Sequence, residues 1–523
     1  MLDTAQIDTA KLKTLSEIEL RELATTLLAR IDRDAREITW RDAKIEKLSF
    51  EMAQLKRVKF GVKSEQLDAQ QKALFDEAVD ADIAALEAQL EELRAQPDKP
   101  AEENVRPKRA PLPAHLPRVE RHHEPDSTSC TTPGCGCQLK RIGEDVSEKL
   151  DYTPGVFTVE RHIRGKWACA NCRTLTQAPV PAEIIDKGIP TAGLLAQVLV
   201  AKHADHLPLY RQEAIFGRAG LVIPRSTLAA WIGQCGVRLQ PLVDALKEQL
   251  LHCAVMHADE TPVAMLAPGN GKTHRAYLWA YAAGAFEDLR AVVYDFTASR
   301  SGEHARNFLG TGTDRAWRGS LVCDDFSGYK ALFVQGLTEA GCMAHARRKF
   351  VELHIANKSD IAATAIEFIG QLYGIERAVK ALPPDRRLHE RRTRAAPIAT
   401  ALHDWLIAQR TKVTDGGATA KAIDYSLNRW AALVRYLDDA ALPIDNNHDE
   451  QQIRPWATGR KNWLFAGTLL AGQRAAAIMS LIQSAKLNGH DPYAYLKDVL
   501  TRLPTHKARD IDELLPHRWT PAS

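Results

Sequence analysis

Three acidic residues stand where a rigid backbone could hold divalent cations. Asp259 closes the apolar, β-forming run HCAVMHAD (252–259), Asp324 follows the similar run GSLVC (319–323), and Glu450 lies in a predicted helix. Cleavage of a phosphodiester needs charge control on the attacking and leaving oxygens, which two cations about 4 Å apart supply. Mg²⁺ suits such a site because it takes a few carboxylates and leaves its other positions to water and phosphate. The three acids therefore predict metal-dependent phosphoryl transfer on a nucleic acid.

Neighbouring acids complicate the choice of ligands. Glu260 directly follows Asp259, and Asp325 directly follows Asp324. Because successive side chains of a strand point to opposite faces, we expect only one acid of each pair to face the site. Two strand-end aspartates and a helical glutamate are the arrangement of the ribonuclease-H-like fold, which we expect for the middle of the chain.

Five of the nine cysteines are clustered, which in an intracellular chain predicts a metal site rather than disulfides. The first three precede a gap of 31 residues, and the pair Cys169-x2-Cys172 follows it. Two such knuckles supply the four thiolates of a tetrahedral, structural zinc site. The expected ligands are Cys130, Cys135, Cys169 and Cys172, with Cys137 as a spare or an alternative.

A smaller element of the same kind is Cys342-x2-His345. It could bind a metal, but it offers only two local ligands, so we favour a buried structural role.

Length and composition predict several globular units. With 523 residues the chain is too long for one ordinary core. Hydrophobic residues make up 45% and charged residues 26%, which argues against wholesale disorder. No run of about 18 apolar residues predicts a membrane span. The formal net charge of +3 is compatible with nucleic acid, but a DNA-binding function must rest on local basic clusters.

We expect a multidomain α+β protein. Its predicted units are a helical or coiled-coil region (1–95), a Pro-rich basic linker (96–120), a zinc-finger-like module (121–180), a helix-turn-helix-like DNA-binding block (190–240), a ribonuclease-H-like, integrase-like catalytic domain (250–467) and a C-terminal helical region (468–523). A helical insertion interrupts the catalytic domain at about 355–440, and we expect the polar tail after about 505 to be loose. Heptad-spaced apolar residues in 38–55 and 83–93 predict either a self-folding hairpin or a dimerising coiled coil.

Several longer motifs resemble those of one known family. They are HADETPV (257–263), CDDFSGYKAL (323–332), GCMAHARRKF (341–350), IDNNHDEQQIRPWATGRKNWLFAG (444–467), FGVKSEQL, RIGEDVSEKLDYTPGVFTVERHIR (141–164), LPLYRQEAIFGRAGLVIPRSTLAAWI (207–232) and LNGHDPYAYLKDVL (487–500). In these blocks the sequence resembles the IS66 family of insertion-sequence transposases along nearly its whole length.

The resemblance implies a DDE transposase in which Asp259, Asp324 and Glu450 are catalytic and bind Mg²⁺ or Mn²⁺. In this family chemistry, water cuts one strand at the element end, and the freed 3′-hydroxyl attacks target DNA in line. Asp325 falls where relatives often have glycine, which favours Asp324 as the ligand. One departure is Gln451, where relatives commonly carry arginine.

Basic residues around the site are the candidate DNA contacts, because DNA must lie across a site rich in negative charge. They are Arg347, Arg348, Lys349, Arg454, Arg460, Lys461 and, in the helical block, Arg225. The expected partners are double-stranded DNA (element ends and target), further copies of the chain on that DNA, and small accessory proteins of the same element. We expect no membrane partner and a cytoplasmic, nucleoid-associated location in a bacterium.

Two other functions stay open from the sequence. A catalytically inactive, transposase-derived DNA-binding regulator would keep the zinc module but lose an acid, whereas all three acids are present here. A ribonuclease-H-like nuclease would cut without strand transfer. The coiled coil, zinc module and linker argue instead for an assembly that brackets two DNA ends.

Overall fold

A computed structural model describes most of the chain. The described residues are 16–60, 69–94, 112–114, 116–125, 127–130, 132–133, 135, 137–153, 155–186, 188–267, 273–313, 316–463 and 465–521. Three of the predicted features lie outside the described residues. They are the motif FGVKSEQL from residue 61 onwards, residues 96–111 and 115 of the predicted basic linker (96–120), and the side chain of Lys461.

Two long helices, α1 (Glu17–Phe60) and α2 (Ala69–Arg94), form a hairpin at the start of the described chain. Its contact is built from the heptad positions Leu48, Leu86 and Leu90. Over this part the heptad residues therefore find their partners within the same chain, which favours the self-folding alternative.

The cysteine-rich module is a small sheet with a long hairpin. Its strands are β1 (Arg118–His123), β2 (Leu139–Thr153), β3 (Val156–Cys169) and β4 (Leu175–Gln177). β3 pairs antiparallel with β2 and β4, and parallel with β1. The pair Leu139↔Cys169 closes one end of the β2–β3 hairpin, so the cysteines on either side of it come together there.

Three helices follow: α3 (Ala192–His203), α4 (Leu209–Arg218) and α5 (Arg225–Leu250). They have the order of the predicted helix-turn-helix-like block. However, α5 is buried along one side from Leu228 to Leu250, and α2 covers another part of it. A side chain at Gly233 would collide with the backbone oxygen of Ala81, so α2 and α5 touch backbone to backbone. DNA contact by α5 stays a prediction.

A five-stranded mixed sheet occupies the middle of the chain. The strands are β5 (Val255–Leu266), β6 (Thr273–Ala283), β7 (Val292–Thr297), β8 (Ser320–Cys323) and β9 (Thr338–Gly341), in the order β7-β6-β5-β8-β9. β5, β6 and β7 form an antiparallel meander, and β8 and β9 extend the sheet in parallel with β5.

Two features of this sheet differ from the prediction. β5 does not end at Asp259, because β6 continues to pair with it as far as Leu266↔Thr273. β9 was not predicted, since its sequence TEAG carries no apolar run.

Helices fill the region between β9 and Glu450, where the sequence predicted no strand. They are α8 (Met343–Asn357), α9 (Asp360–Val379), α10 (Pro384–Glu390), α11 (Ala396–Arg410), α12 (Ala418–Asn428) and α13 (Trp430–Val434), with a π-helical turn at Arg391–Ala395; the shorter α6 (Gly302–Phe308) and α7 (Lys330–Val334) precede β8 and β9. Among them, α8, α9, α11, α12 and α13 share a core that contains Phe350, Leu372 and Leu402.

Three more helices complete the fold: α14 (Asn447–Trp463), α15 (Leu469–Leu487) and α16 (Pro492–Arg502). α15 covers the edge strand β7, whose backbone N–H groups at Val292 and Tyr294 donate to the Ser484 and Ser480 hydroxyls. Short 3₁₀ helices follow at Leu503–Thr505 and Ala508–Leu514. None of the described helices has both the length and the apolar character needed to cross a membrane.

The tail is not loose, contrary to the prediction. Leu514, Leu515 and Trp519 are buried in the main core beside α16. These few apolar residues lie in a mostly polar segment of the sequence, so composition alone underestimates how much surface they bury.

Buried ion pairs fasten α2 to the rest of the protein. Asp82 is fully buried and accepts hydrogen bonds from Arg474 (2.7 Å) and from Thr468, at the start of α15. Glu77, also buried, pairs with Lys202 of α3. Burial raises the pKa of Asp82, and the Arg474 guanidinium acts in the opposite direction. The hairpin is thus docked through groups that are costly to leave unpaired.

We predict that Asp82→Ala destabilises the protein by about 3–5 kcal/mol, because Arg474 is left buried without its counter-charge. The free energy of unfolding in guanidinium chloride measures the loss. The control is Glu87→Ala on the same helix, whose exposed pair with Lys56 contributes at most about 1 kcal/mol. Equal losses in the two variants would contradict the docking role.

Candidate active site and metal centre

The strand pairing brings Asp259, within β5, beside Asp324, which directly follows β8. This end of β8 is the edge of the sheet at which the site lies. β5 and β8 pair in parallel up to His257↔Val322, and each aspartate lies two residues beyond that pair. Asp324 Oδ1 accepts a hydrogen bond from the Phe326 N–H (2.9 Å), and Asp259 Oδ1 accepts one from the Glu260 N–H (2.9 Å). Both carboxylates are therefore held by local backbone.

Glu450 reaches this edge from the first turn of α14. The residue before the helix, Asn446, is fully buried and donates from Nδ2 to the backbone oxygen of Ala258 (3.0 Å). Its Oδ1 accepts from Nδ1 of His257 (2.6 Å), and burial lowers the pKa of that histidine to about 3, which keeps it neutral. An uncharged clamp thus joins the start of α14 to β5, one residue from Asp259.

The three carboxylates interact electrostatically. Burial raises the pKa of Asp259 well above its ordinary value, and the charges of Glu260, Asp324 and Glu450 raise it further. Across the part of the chain that the structure describes, neither Asp259 nor Asp324 forms an ion pair with a basic side chain. Nor do the three acids form a tight cluster with ligand atoms all within 4.8 Å of one another.

The acids beside the two aspartates have other partners. Glu260 pairs with Arg300 and accepts a hydrogen bond from the Tyr329 hydroxyl (2.8 Å). Asp325 pairs with Lys330 (2.9 Å) and lies 3.4 Å from Arg429. Both rivals are thus engaged in ion pairs, whereas their neighbours are not.

Asp449 is an acidic residue of the site that the sequence analysis missed. Its side chain is fully buried, and neither of its oxygens has a hydrogen-bond partner. Burial raises its pKa well above the ordinary value, and the charges of Asp259, Glu450 and Glu260 add to this effect. No local pattern distinguishes it from Glu450, because only the packing of α14 against the sheet decides which acid is enclosed.

The predicted DNA contacts differ in how exposed they are and in what they contact. Arg347, Arg348 and Lys349 on α8 and Arg454 on α14 are exposed, and Arg348 reaches Glu450 Oε2 at 3.4 Å. Arg225 is half-buried at the start of α5. Arg460 instead donates to Thr261 Oγ1 (3.2 Å) and to the Pro262 oxygen (2.9 Å), so it fastens α14 to β5.

A basic groove of about 490 Å³ runs beside the helix that carries Glu450. Arg347, Arg348 and Arg377 line it, together with Tyr373 and Asn447. Arg377 lies on α9, far from the acidic motifs in sequence, and the sequence analysis did not identify it.

The cysteine module gathers four sulfur atoms. Those of Cys130, Cys135, Cys169 and Cys172 all lie within 4.8 Å of one another. The Cys130–Cys172 and Cys135–Cys169 separations are 3.2 and 3.6 Å. Tetrahedral zinc with Zn–S bonds of about 2.3 Å sets neighbouring sulfurs about 3.8 Å apart, so these residues fit the ion. Cys137 stays outside the group, and its thiol contacts the Cys135 backbone oxygen.

A second group of three donor atoms belongs to Cys342, His345 and Glu450, which also lie within 4.8 Å of one another. The Cys342–His345 pair predicted from sequence therefore acquires a third neighbour from α14.

Comparison with family models gives four matches along the chain. Residues 187–474 match "Transposase IS66 family", and residues 480–517 match "IS66 C-terminal element". Residues 127–173 match "zinc-finger binding domain of transposase IS66", and residues 47–121 match "Transposase C of IS166 homeodomain". The zinc-finger match coincides with the four-cysteine cluster.

Similar proteins occur in Sinorhizobium fredii. The uncharacterised protein y4qI is 37% identical over 489 residues, which cover 89% of this chain and 88% of that protein. The uncharacterised protein y4hP is 32% identical over 503 residues, or 92% of this chain and 89% of that protein. The likeness therefore extends over nearly the full length of both relatives.

The cysteine geometry predicts which thiols hold zinc. Cys169→Ser should lose one zinc ion per chain relative to the wild type, whereas Cys137→Ser should keep it. Because a structural zinc site contributes folding energy, the first variant should also lose the fold of its module. Native mass spectrometry counts the ions. Loss of zinc from Cys137→Ser alone would contradict the ligand set.

Asp449→Asn should stabilise the metal-free protein at pH 7, since folding of the wild type at that pH either buries the unpartnered charge of Asp449 or requires this side chain to take up a proton. We expect the free energy of unfolding to rise by about 1 kcal/mol, which for a chain of this length raises Tm by about 1 °C. A raised folded-state pKa penalises folding above the ordinary value of 3.8, so the advantage should shrink as pH falls towards that value.

The control for this experiment is Asp438→Asn, whose side chain is 82% exposed. Thermal unfolding of both variants across pH 4–7 measures the difference. A lower Tm of Asp449→Asn at pH 7, with the control unchanged, would show that the carboxylate is compensated in the folded protein.

Proposed function

Because this chain belongs to the IS66 transposase family, we propose that it is a DNA transposase that cuts and joins DNA with Asp259, Asp324 and Glu450. One observation carries the proposal. Carboxylates from β5, from the end of β8 and from α14 interact at one edge of the sheet, and the two aspartates have no basic partner in the described chain. Gathered negative charges of this kind are unfavourable unless cations offset them.

The topology of the sheet supports a ribonuclease-H-like catalytic region. Its order β7-β6-β5-β8-β9 consists of three antiparallel strands followed by two parallel ones. The helices α8 to α13 stand between the last strand and the helix that carries Glu450, which agrees with a helical insertion.

Asp259, Asp324 and Glu450 would hold Mg²⁺ or Mn²⁺. Their fit is supported by Glu450 Oε1, which is buried and has no hydrogen-bond partner. When bound, such cations supply charge stabilisation on the attacking and leaving oxygens of the phosphodiester.

The groove arginines would bind and orient the DNA. Arg347, Arg348 and Arg377 present guanidinium groups along one side of the α14 start, and guanidinium binds phosphate through paired N–H donors. Lys349 and Arg454 extend this exposed basic surface, and Arg225 is a further candidate contact. Arg460 is assigned instead to holding α14 against β5.

A second copy of the chain would pair along α1. The heptad positions Leu20, Leu27, Ile31 and Ile38 are 40–59% exposed. α2 ends beside Arg41, whose guanidinium donates to the Leu93 backbone oxygen (3.3 Å). The seam that α2 covers therefore continues uncovered towards residue 20, which supports a homo-oligomer on DNA.

The catalytic proposal is tested with labelled element-end DNA and Mg²⁺. Asp259→Asn and Glu450→Gln should each reduce strand cleavage at least about 1000-fold, equivalent to roughly 4 kcal/mol of transition-state stabilisation. DNA binding in a gel-shift assay should persist, because neither acid lies among the proposed phosphate contacts. Omitting the divalent cation should have the same effect on the wild type.

The control is Asp325→Asn, which changes the acid next to Asp324 and should keep cleavage within about tenfold. Cut DNA without joined product would indicate a nuclease. Binding without either product, in the presence of Mg²⁺ and target DNA, would indicate a regulator and would defeat the proposal.

A further inference from the structure

Cys342, His345 and Glu450 bring three chemically different donors together beside the candidate active site. One atom of each lies within 4.8 Å of the other two. Cys342 directly precedes α8, His345 lies in the first turn of α8, and Glu450 lies in the first turn of α14. The sequence supplies two of these donors locally, and the fold adds the third from a distant segment.

Backbone contacts hold the two helix starts together. The Met343 N–H donates to the backbone oxygen of Ile444 (3.1 Å), and the Asn446 N–H donates to Cys342 Sγ (3.2 Å). The positions of the three donors are therefore set by rigid elements rather than by flexible side chains alone.

Two of the donor atoms are buried without a partner. His345 Nδ1 and Glu450 Oε1 lie 3.8 Å apart, and neither forms a hydrogen bond. Arg348 engages the other atoms of the same groups, Nε2 of His345 and Oε2 of Glu450, each at 3.4 Å. Unpartnered polar atoms at buried positions are costly, so this arrangement favours a ligand between them.

We propose that Cys342 Sγ, His345 Nδ1 and Glu450 Oε1 form a binding site for a borderline transition-metal cation such as Zn²⁺ or Co²⁺. Sulfur and imidazole ligands select such ions, whereas Mg²⁺ prefers oxygen ligands alone. Three protein ligands leave a fourth position open for water. The side chains of His345 and Glu450 are 21% and 29% exposed, which gives the cation access from solvent.

Binding of the cation changes the positions of two protons and removes one hydrogen bond. The Cys342 thiol releases its proton to solvent as its sulfur becomes a ligand. Coordination through Nδ1 leaves the proton of neutral His345 on Nε2, so Arg348 can no longer donate to that nitrogen. Removing the Arg348 charge should therefore strengthen cation binding.

Occupation of this site would withdraw Glu450 from the proposed catalytic cations. Zn²⁺ should consequently inhibit Mg²⁺-dependent cleavage. This consequence for activity rests on the proposed function, but the binding itself does not.

The test is a Co²⁺ titration of the full chain with its cysteine module already filled with zinc. One Co²⁺ per chain should bind with a sulfur-to-cobalt charge-transfer absorption, which Cys342→Ser abolishes and which cobalt on carboxylate oxygens does not produce. His345→Gln and Glu450→Gln should each weaken Co²⁺ binding by at least about tenfold. Arg348→Gln should strengthen it, a gain that misfolding cannot produce. Metal analysis verifies that no zinc leaves the cysteine module.

The matched control is Cys253→Ser, which removes a buried thiol that belongs to neither donor group and should leave the spectrum unchanged. Asp259→Asn should also leave it unchanged while abolishing cleavage, so failure of the catalytic proposal is distinguishable from failure of this one. The proposal is wrong if the wild type shows no such absorption while its cysteine module holds zinc, or if the absorption survives in Cys342→Ser.

Discussion

The structure depends on holding several carboxylates together at one edge of the sheet, where burial removes the water that would otherwise hydrate them. Burial raises the pKa values of both Asp259 and Asp449, and their mutual repulsion adds to that effect. Interactions other than those between the carboxylates must therefore hold these residues in place. Asn446 provides part of it with uncharged hydrogen bonds to Ala258 and His257. A neutral clamp suits this place because a basic side chain there would compete with a divalent cation for the same oxygens.

The coarse organisation could be read from the sequence. The family resemblance is confirmed, as is a mixed α+β, multidomain chain with a zinc-finger-like module. Apolar, β-rich runs revealed β5 and β8 because their burial demands that composition. β9 and the packed tail were not predicted. TEAG has no such run, and Trp519 is flanked in the sequence by polar residues although it is buried in the fold. The domain boundaries and the roles of the three catalytic acids stay predictions.

The candidate site was less predictable than the fold for a physical reason. A motif identifies Glu450, but only packing encloses Asp449, pairs Glu260 with Arg300, and turns Arg460 towards β5. Each of these outcomes depends on contacts between segments far apart in the chain. The Cys342–His345 pair shows the same limit, because its third neighbour arrives with α14. The spacing of residues in the sequence can identify candidate ligands, but only the folded structure shows how many of them come together.

The docking of α2 has a consequence for how the protein can be divided. Glu77 and Asp82 are the counter-charges of Lys202 on α3 and Arg474 on α15. A fragment that begins after the cysteine module would retain these two cations in the interior without neutralising partners. The helix α2 is thus part of the scaffold of the protein, and a recombinant fragment that lacks it would leave Lys202 and Arg474 without their ion-pair partners.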